Sequence, residues 1–172
     1  MVGNDIVDLG LADRNAWKRK RFLDKVLTPS EQLLMLDSVD PGTFFWVLWS
    51  MKESAYKLHF RKNLDRALNP ARFRCTFQGD LEGRVEVDEQ VYRTTSTVSV
   101  DYVHTTAIDA KSRAVTKSDE VSAGSFNAVR KKTIESLIRS FSASADLNAE
   151  QVKFLKDKND LPFLTCDVNG MF

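Results

Sequence analysis

The sequence has almost no surplus charge of either sign: 25 lysines and arginines stand against 24 aspartates and glutamates, a formal net charge of +1. Such a balance excludes a global pull toward nucleic acid or an anionic membrane, so any electrostatic recognition must be local. Cysteine is scarce. Cys75 and Cys166 are the only two among 172 residues; without C-x-x-C spacing or a neighbouring histidine they read as isolated reduced thiols, as expected of a cytoplasmic protein. Long apolar runs are also missing: nowhere do about 18 uncharged apolar residues follow one another. The opening MVGNDIVDL lacks a basic leader and a long apolar stretch, so neither a membrane span nor an export signal is expected. There is no internal repeat and no low-complexity linker. What is there is 42% hydrophobic residues, enough for a real core, and one domain over residues 1–172 is the expectation.

Periodicity supplies the organisation. Residues 2–9, VGNDIVDL, alternate in part and read as a first strand closed by Gly10. Residues 13–26 put Trp17, Phe22 and Val26 on one side and a basic run on the other, which predicts an amphipathic helix. LTPSEQLLML carries a helix start, with Thr28 as N-cap, Pro29 at the first helical position and Glu31 completing a capping box; the helix is expected to end near Asp37. A third and very apolar helix of about five turns follows Pro41 and Gly42. From Arg72 the pattern changes to period two through FRCTFQG, GRVEVDEQVYR and STVSVDYVHTTAIDA, with Gly79, Asp80 and Gly83 as turn residues, predicting an antiparallel meander of three or four strands. Residues 111–125 read as a loop, 126–141 as a fourth helix, and the two apolar runs around KDKND as a hairpin. Helices near the N-terminus followed by grouped strands indicate an α+β fold.

Two stretches carry chemistry. WSMKESAYKL, residues 49–58, sets Glu53 between Lys52 and Lys57 on a helix rich in aromatics. Helical spacing lets Glu53 meet Lys57; on an exposed surface such a pair is worth roughly 0.2–0.5 kcal/mol, but beside tryptophans the carboxylate is partly desolvated and needs a cation or metal to compensate it. In GNDIVDL, Asp5 sits among Ile6, Val7 and Leu9, where aspartate is disfavoured unless it belongs to a turn preceding the strand.

Taken in order, GNDIVDL, KVLTPSE and WSMKESAYKL resemble the 4'-phosphopantetheinyl transferase superfamily. The order and spacing over residues 1–58 are similar to the holo-acyl-carrier-protein synthase branch, WSMKES itself resembles the larger surfactin-type branch, and KFLKDKNDLPFL resembles a later family hairpin. The resemblance implies a fold with an antiparallel sheet packed against a long central helix. It also implies magnesium-dependent transfer of the phosphopantetheine arm of coenzyme A to a serine of an apo acyl or peptidyl carrier protein. Asp5 and Glu53 match the metal-binding acids, and Lys57 matches the lysine that contacts the phosphates; a Glu four residues before a Lys would then set a metal ligand beside a phosphate ligand. Glu53, or a water it holds, is a further candidate for taking the serine proton. Lys52, Lys25 and Arg21 are expected at coenzyme A, and Lys18, Arg19 and Lys20 at the acidic recognition helix of the carrier. A solvated helix face is the other reading of that basic run, and it is the reading preferred for Arg130, Lys131 and Lys132.

The chain departs from the family pattern at two places. Val7 stands where the surfactin-type branch has a third acid, so a water is expected there. The family's S-[IL]-S-H segment is absent: DVNGMF follows the hairpin, and His59 and His104 lie in other contexts and are expected to be structural or exposed. Truncation of the chain and replacement of that segment both remain open. A non-catalytic relative that binds coenzyme A or a carrier without transfer is therefore the alternative, ahead of an unrelated α+β interaction domain. Nucleic acid is not expected as a partner. Trimers in the small branch and monomers in the large one leave the oligomeric state open, with a homo-oligomer favoured.

Overall fold

Period-two segments and long apolar helices do separate as the sequence suggests. The computed structural model describes residues 1–64, 69–109 and 124–166. The architecture is α+β, divided into two compact units, Met1–Thr116 and Lys117–Phe172.

In the first unit, β1 (Val2–Asp8) pairs antiparallel with β5 (Tyr102–Asp109), and the sheet continues through β4 (Gln90–Val98), β3 (Glu82–Val87) and β2 (Arg74–Phe77). Inward positions of the strands bring Val85, Val87, Tyr92, Val103 and Ala107 against Phe45, Leu48, Met51, Ala55 and Leu58 of the long helix, forming a buried core. The expected meander has four strands, β2 to β5, and GRVEVDEQVYR contributes to two of them, β3 and β4, joined at Asp88 and Glu89. Asp88 takes a left-handed conformation, φ 52°, which a short polar side chain tolerates. Gly83 is a strand residue rather than a turn residue: a Cβ there would meet Thr76 O at 2.6 Å and Met51 Cε at 2.8 Å, so its bare backbone makes room for the core.

The expected helix over 13–26 is interrupted. A 3-10 turn, Ala16–Lys18, is followed by α1 (Lys20–Val26), with Arg19 extended between them. The cause lies upstream, where Asp13 Oδ1 accepts from the Asn15 amide at 2.9 Å and offers the backbone a turn in place of a helix. α2 (Pro29–Leu36) begins as expected, the Thr28 hydroxyl and Glu31 carboxylate each accepting the other's backbone N–H. α3 (Pro41–Asn63) is longer than expected at 23 residues, capped by Asp40 and ended by Leu64 at φ 57°, so it spans ~34 Å across the sheet.

The second unit holds α4 (Phe126–Ala145), capped by Ser125, and a hairpin of β6 (Val152–Lys156) and β7 (Pro162–Cys166). Its turn is the KDKND segment, where Asp157 Oδ1 accepts from the amides of Asn159 and Leu161. Most of the loop expected over 111–125, and the DVNGMF segment, lie outside the described residues. Among the described residues no helix is long and apolar enough to cross a membrane.

Candidate functional site

The site begins with a missing side chain. A Cβ on Gly3 would lie 2.1 Å from the Ser54 carbonyl oxygen and 2.9 Å from the Leu58 amide nitrogen, so β1 rests directly on the backbone of α3. Two residues later the same strand face carries Asp5, since side chains alternate along a strand. Ser50, fully buried on α3, donates its hydroxyl to the Asp5 carbonyl at 3.4 Å. Asp5 is a mid-strand residue paired opposite Thr105, not a turn residue ahead of the strand. Behind it, Thr105 and Ser96 share a hydroxyl hydrogen bond of 2.8 Å on buried positions of β5 and β4.

Lys57 reaches across from the helix to the strand. Its ammonium lies 2.7 Å from Asp5 Oδ1, with side-chain exposures of 44% and 12%. The ion pair inferred from helical spacing, Glu53 with Lys57, is thus replaced by one between elements. Asp5 Oδ2 is buried and has no hydrogen-bond partner. The Glu53 carboxyl is pushed above its ordinary range by burial first and by the Asp5 anion second, with Lys57 opposing. Glu53 is thus near enough to feel the Asp5 charge, while Lys57 is bonded to Asp5.

Two negative charges, one positive charge and an unsatisfied buried oxygen fit a hard divalent cation, which takes one or two carboxylates and completes its shell with water and substrate oxygens. Among the described residues no group of three or more histidine, cysteine, aspartate or glutamate side chains could hold a metal. The donor set here is a two-acid set. Val7, next but one to Asp5, packs against the hydrophobic core and adds no donor.

Lys52, expected at coenzyme A, is committed elsewhere. Its side chain is 1% exposed and donates to Glu31 Oε2 at 2.8 Å, Pro70 O at 3.0 Å and Phe73 O at 2.5 Å. All three ammonium donors are satisfied, so none is open to a phosphate. Glu31 is equally occupied: beyond Lys52 it accepts from the Thr28 amide and, through Oε1, from the Cys75 amide at 2.7 Å. The T-P-S-E segment therefore ties α2, α3 and β2 together.

The basic run is exposed throughout. Lys20 pairs with Asp24, Arg19 lies 3.1 Å from Asp13 and over the Phe22 ring, and Lys18 lies over the Trp17 ring. Arg21 and Lys25 meet no carboxylate among the described residues. Arg130, Lys131 and Lys132 are exposed on α4, where Lys131 lies 4.0 Å from Glu135. His59 is buried and structural, its ring hydrogen-bonded to the Tyr92 hydroxyl and Asn63. His104 lies on β5 opposite Ile6, its imidazole held below the ordinary value by burial while Asp5 opposes. Trp49 packs on Phe22 and Trp46 beside the core, as a core residue should. Cys75 and Cys166 are free, and burial pushes the Cys75 thiol upward.

Gly3 and Ser50 lie within the GNDIVDL and WSMKES motifs, but motif reading assigns neither a role. Their signal was available: a glycine two residues before the acid, and serines at 50 and 54 on the helix, one turn apart, mark a close approach of two backbones.

Comparison with known proteins gives three findings. The model of the 4'-phosphopantetheinyl transferase superfamily matches residues 1–116. No curated protein matches the chain. Among solved structures, the holo-acyl-carrier-protein synthase of Thermotoga maritima is similar, at 13% identity and a TM-score of 0.47, with 96% of this chain and 82% of that chain covered.

Proposed function

Because the chain belongs to the 4'-phosphopantetheinyl transferase superfamily, we propose that it transfers the 4'-phosphopantetheine group from coenzyme A to a serine hydroxyl of an apo acyl or peptidyl carrier protein, in a magnesium-dependent reaction. One observation carries the reading beyond family membership: the buried, unpartnered Asp5 Oδ2 in the field of Glu53 and Lys57.

In this reading Asp5 and Glu53 hold the metal. Magnesium, when bound, supplies positive charge to the pyrophosphate oxygens and orients them. The chain's own residues do the rest. Lys57, half exposed on the same helix, is the compact point charge that reaches the phosphates. The serine oxygen attacks the phosphorus that bears the pantetheine arm. The bond from that phosphorus to the bridging oxygen breaks, and adenosine 3',5'-bisphosphate leaves with the electron pair. The serine proton must go to a base, and Glu53, or a water it holds, is the candidate for taking it. Arg21 and Lys25, without carboxylate partners among the described residues, are the cations of α1 that remain for coenzyme A. Lys18, Arg19 and Lys20 are exposed for an acidic carrier surface.

The test is a mass-shift assay. An apo carrier protein incubated with the chain, coenzyme A and magnesium should gain one phosphopantetheine group, and chelation should stop the gain. Coenzyme A binding measured by calorimetry without any mass gain, across acyl and peptidyl carriers, would favour the non-catalytic relative.

A further inference from the structure

The contact between Lys57 and Asp5 raises a question that metal binding alone does not answer. A lysine meant for phosphate is bonded instead to the acid meant for the metal. We infer that Lys57 is the resident cation of the proposed metal site, holding Asp5 in place until a divalent ion displaces it, so that metal entry and release of Lys57 toward the phosphates are one event. The inference rests on the proposed metal site and adds a second, sequential role for the lysine.

Three features support it. First, neither oxygen of Asp5 is open: Oδ1 is bonded to the ammonium at 2.7 Å, and Oδ2 is buried without a partner. A hydrated cation cannot reach either without moving something. Second, what moves is defined by exposure. Lys57 is 44% exposed on a flexible four-carbon stem, whereas Asp5 is fixed by its strand pairing to Thr105, by the Gly3 contact beneath it and by Ser50 at its carbonyl. The lysine is the mobile member. Third, without either cation Asp5, 12% exposed and with one oxygen already lacking a partner, would be left as an uncompensated buried charge. A protein folded without metal needs a compensating charge there, and Lys57 provides it.

Competition has a consequence opposite in sign to simple support. If Lys57 merely assisted the metal site, removing it would weaken metal binding or leave it alone. If it competes, removing it must strengthen metal binding, because the incoming ion no longer displaces an ion pair and no longer meets a neighbouring positive charge.

The experiment is titration of the purified chain with manganese(II) alone, followed by calorimetry and by electron paramagnetic resonance of the free ion. Four proteins are compared: wild type, Lys57→Met, Lys57→Arg and Asp5→Asn, each checked for folding by circular dichroism. Lys57→Met should bind manganese ~5-fold more tightly or better, and Lys57→Arg no more tightly than wild type. Equal or weaker binding by a folded Lys57→Met would overturn the inference while leaving the metal site standing, provided Asp5→Asn loses binding. Undiminished binding by Asp5→Asn, or no binding by wild type, would remove the metal site itself and the inference with it. Should Lys57→Met not fold, Lys57→Gln takes its place with the same expectations.

Discussion

Lys52 and Lys57 lie five positions apart on one helix, each bonded to a carboxylate from another element, yet the two pairs differ in almost every physical respect. Lys52 and Glu31 are both 1% exposed, and every donor of the ammonium has a partner. Lys57 is 44% exposed, its partner Asp5 keeps an orphaned oxygen, and the Asp5 charge helps push the Glu53 carboxyl upward. The first pair is closed and has nothing to offer a ligand. The second is incomplete in the specific sense that a divalent cation would complete it. Satisfied buried ion pairs fix architecture, and unsatisfied half-buried ones are where chemistry is to be sought.

The contrast breaks most visibly at the closed pair. Lys52→Met leaves Glu31 as an uncompensated buried charge and should cost ~3–5 kcal/mol in chemical denaturation. The double variant Lys52→Met with Glu31→Leu should recover part of it. A loss near zero for Lys52→Met would mean the pair is not the lock between α2, α3 and β2 that its hydrogen bonds indicate.

The carboxyl beside the open pair should respond chiefly in activity. Glu53→Gln is expected to lower transfer ~100-fold or more, while the metal-free protein becomes no less stable. The pH dependence has a definite sign. A glutamate raised in the folded state binds its proton more tightly there than when unfolded. Its contribution is therefore favourable at low pH and is lost as pH rises through the window from the ordinary value of 4.5 upward. Metal-free wild type should lose stability across that window, and Glu53→Gln should lose less. Identical pH profiles for the two would remove Glu53 from the half-buried spot.

How far these two lysines could be told apart from sequence alone is instructive. Both flank Glu53 in WSMKESAYKL and both looked available to coenzyme A. The residue that claims Lys52 is Glu31, which local reading used fully as a capping-box acid, correctly as far as it went. A long-range partner leaves no mark in local periodicity. The same limit explains Gly83, a turn residue by type and a packing residue by position, and the broken helix at Arg19, where one Asp13 side chain outweighs an amphipathic pattern. By contrast β1, the start of α2, the length-scale of α3, the meander and the KDKND hairpin were legible. Their signals are local: alternation, caps, and turn residues. Asp5 was legible as an anomaly, a carboxylate in an apolar strand, but its contact with Lys57 was not.

A smaller effect sharpens the geometry that separates the two pairs. Gly3→Ala forces β1 away from Ser54 and should cost ~1–3 kcal/mol. It should also weaken divalent binding, because Asp5 moves with the strand while Glu53 and Lys57 stay on the helix. Lost stability with unchanged metal affinity would detach the strand's position from the site. The smallest expected effect lies outside both pairs: Arg21→Gln with Lys25→Gln should leave the melting temperature unchanged, since neither residue has a carboxylate partner among the described residues. It should raise the KM for coenzyme A. An unchanged KM would assign that part of α1 to solvent.

The most direct measurement is a crystal structure of the chain grown with manganese(II), with data collected at a wavelength where the ion scatters anomalously. The account predicts an anomalous peak within bonding distance of carboxylate oxygens from both Asp5 and Glu53, with the Lys57 ammonium withdrawn from Asp5. A peak elsewhere, or none while Lys57 stays on Asp5, would contradict it.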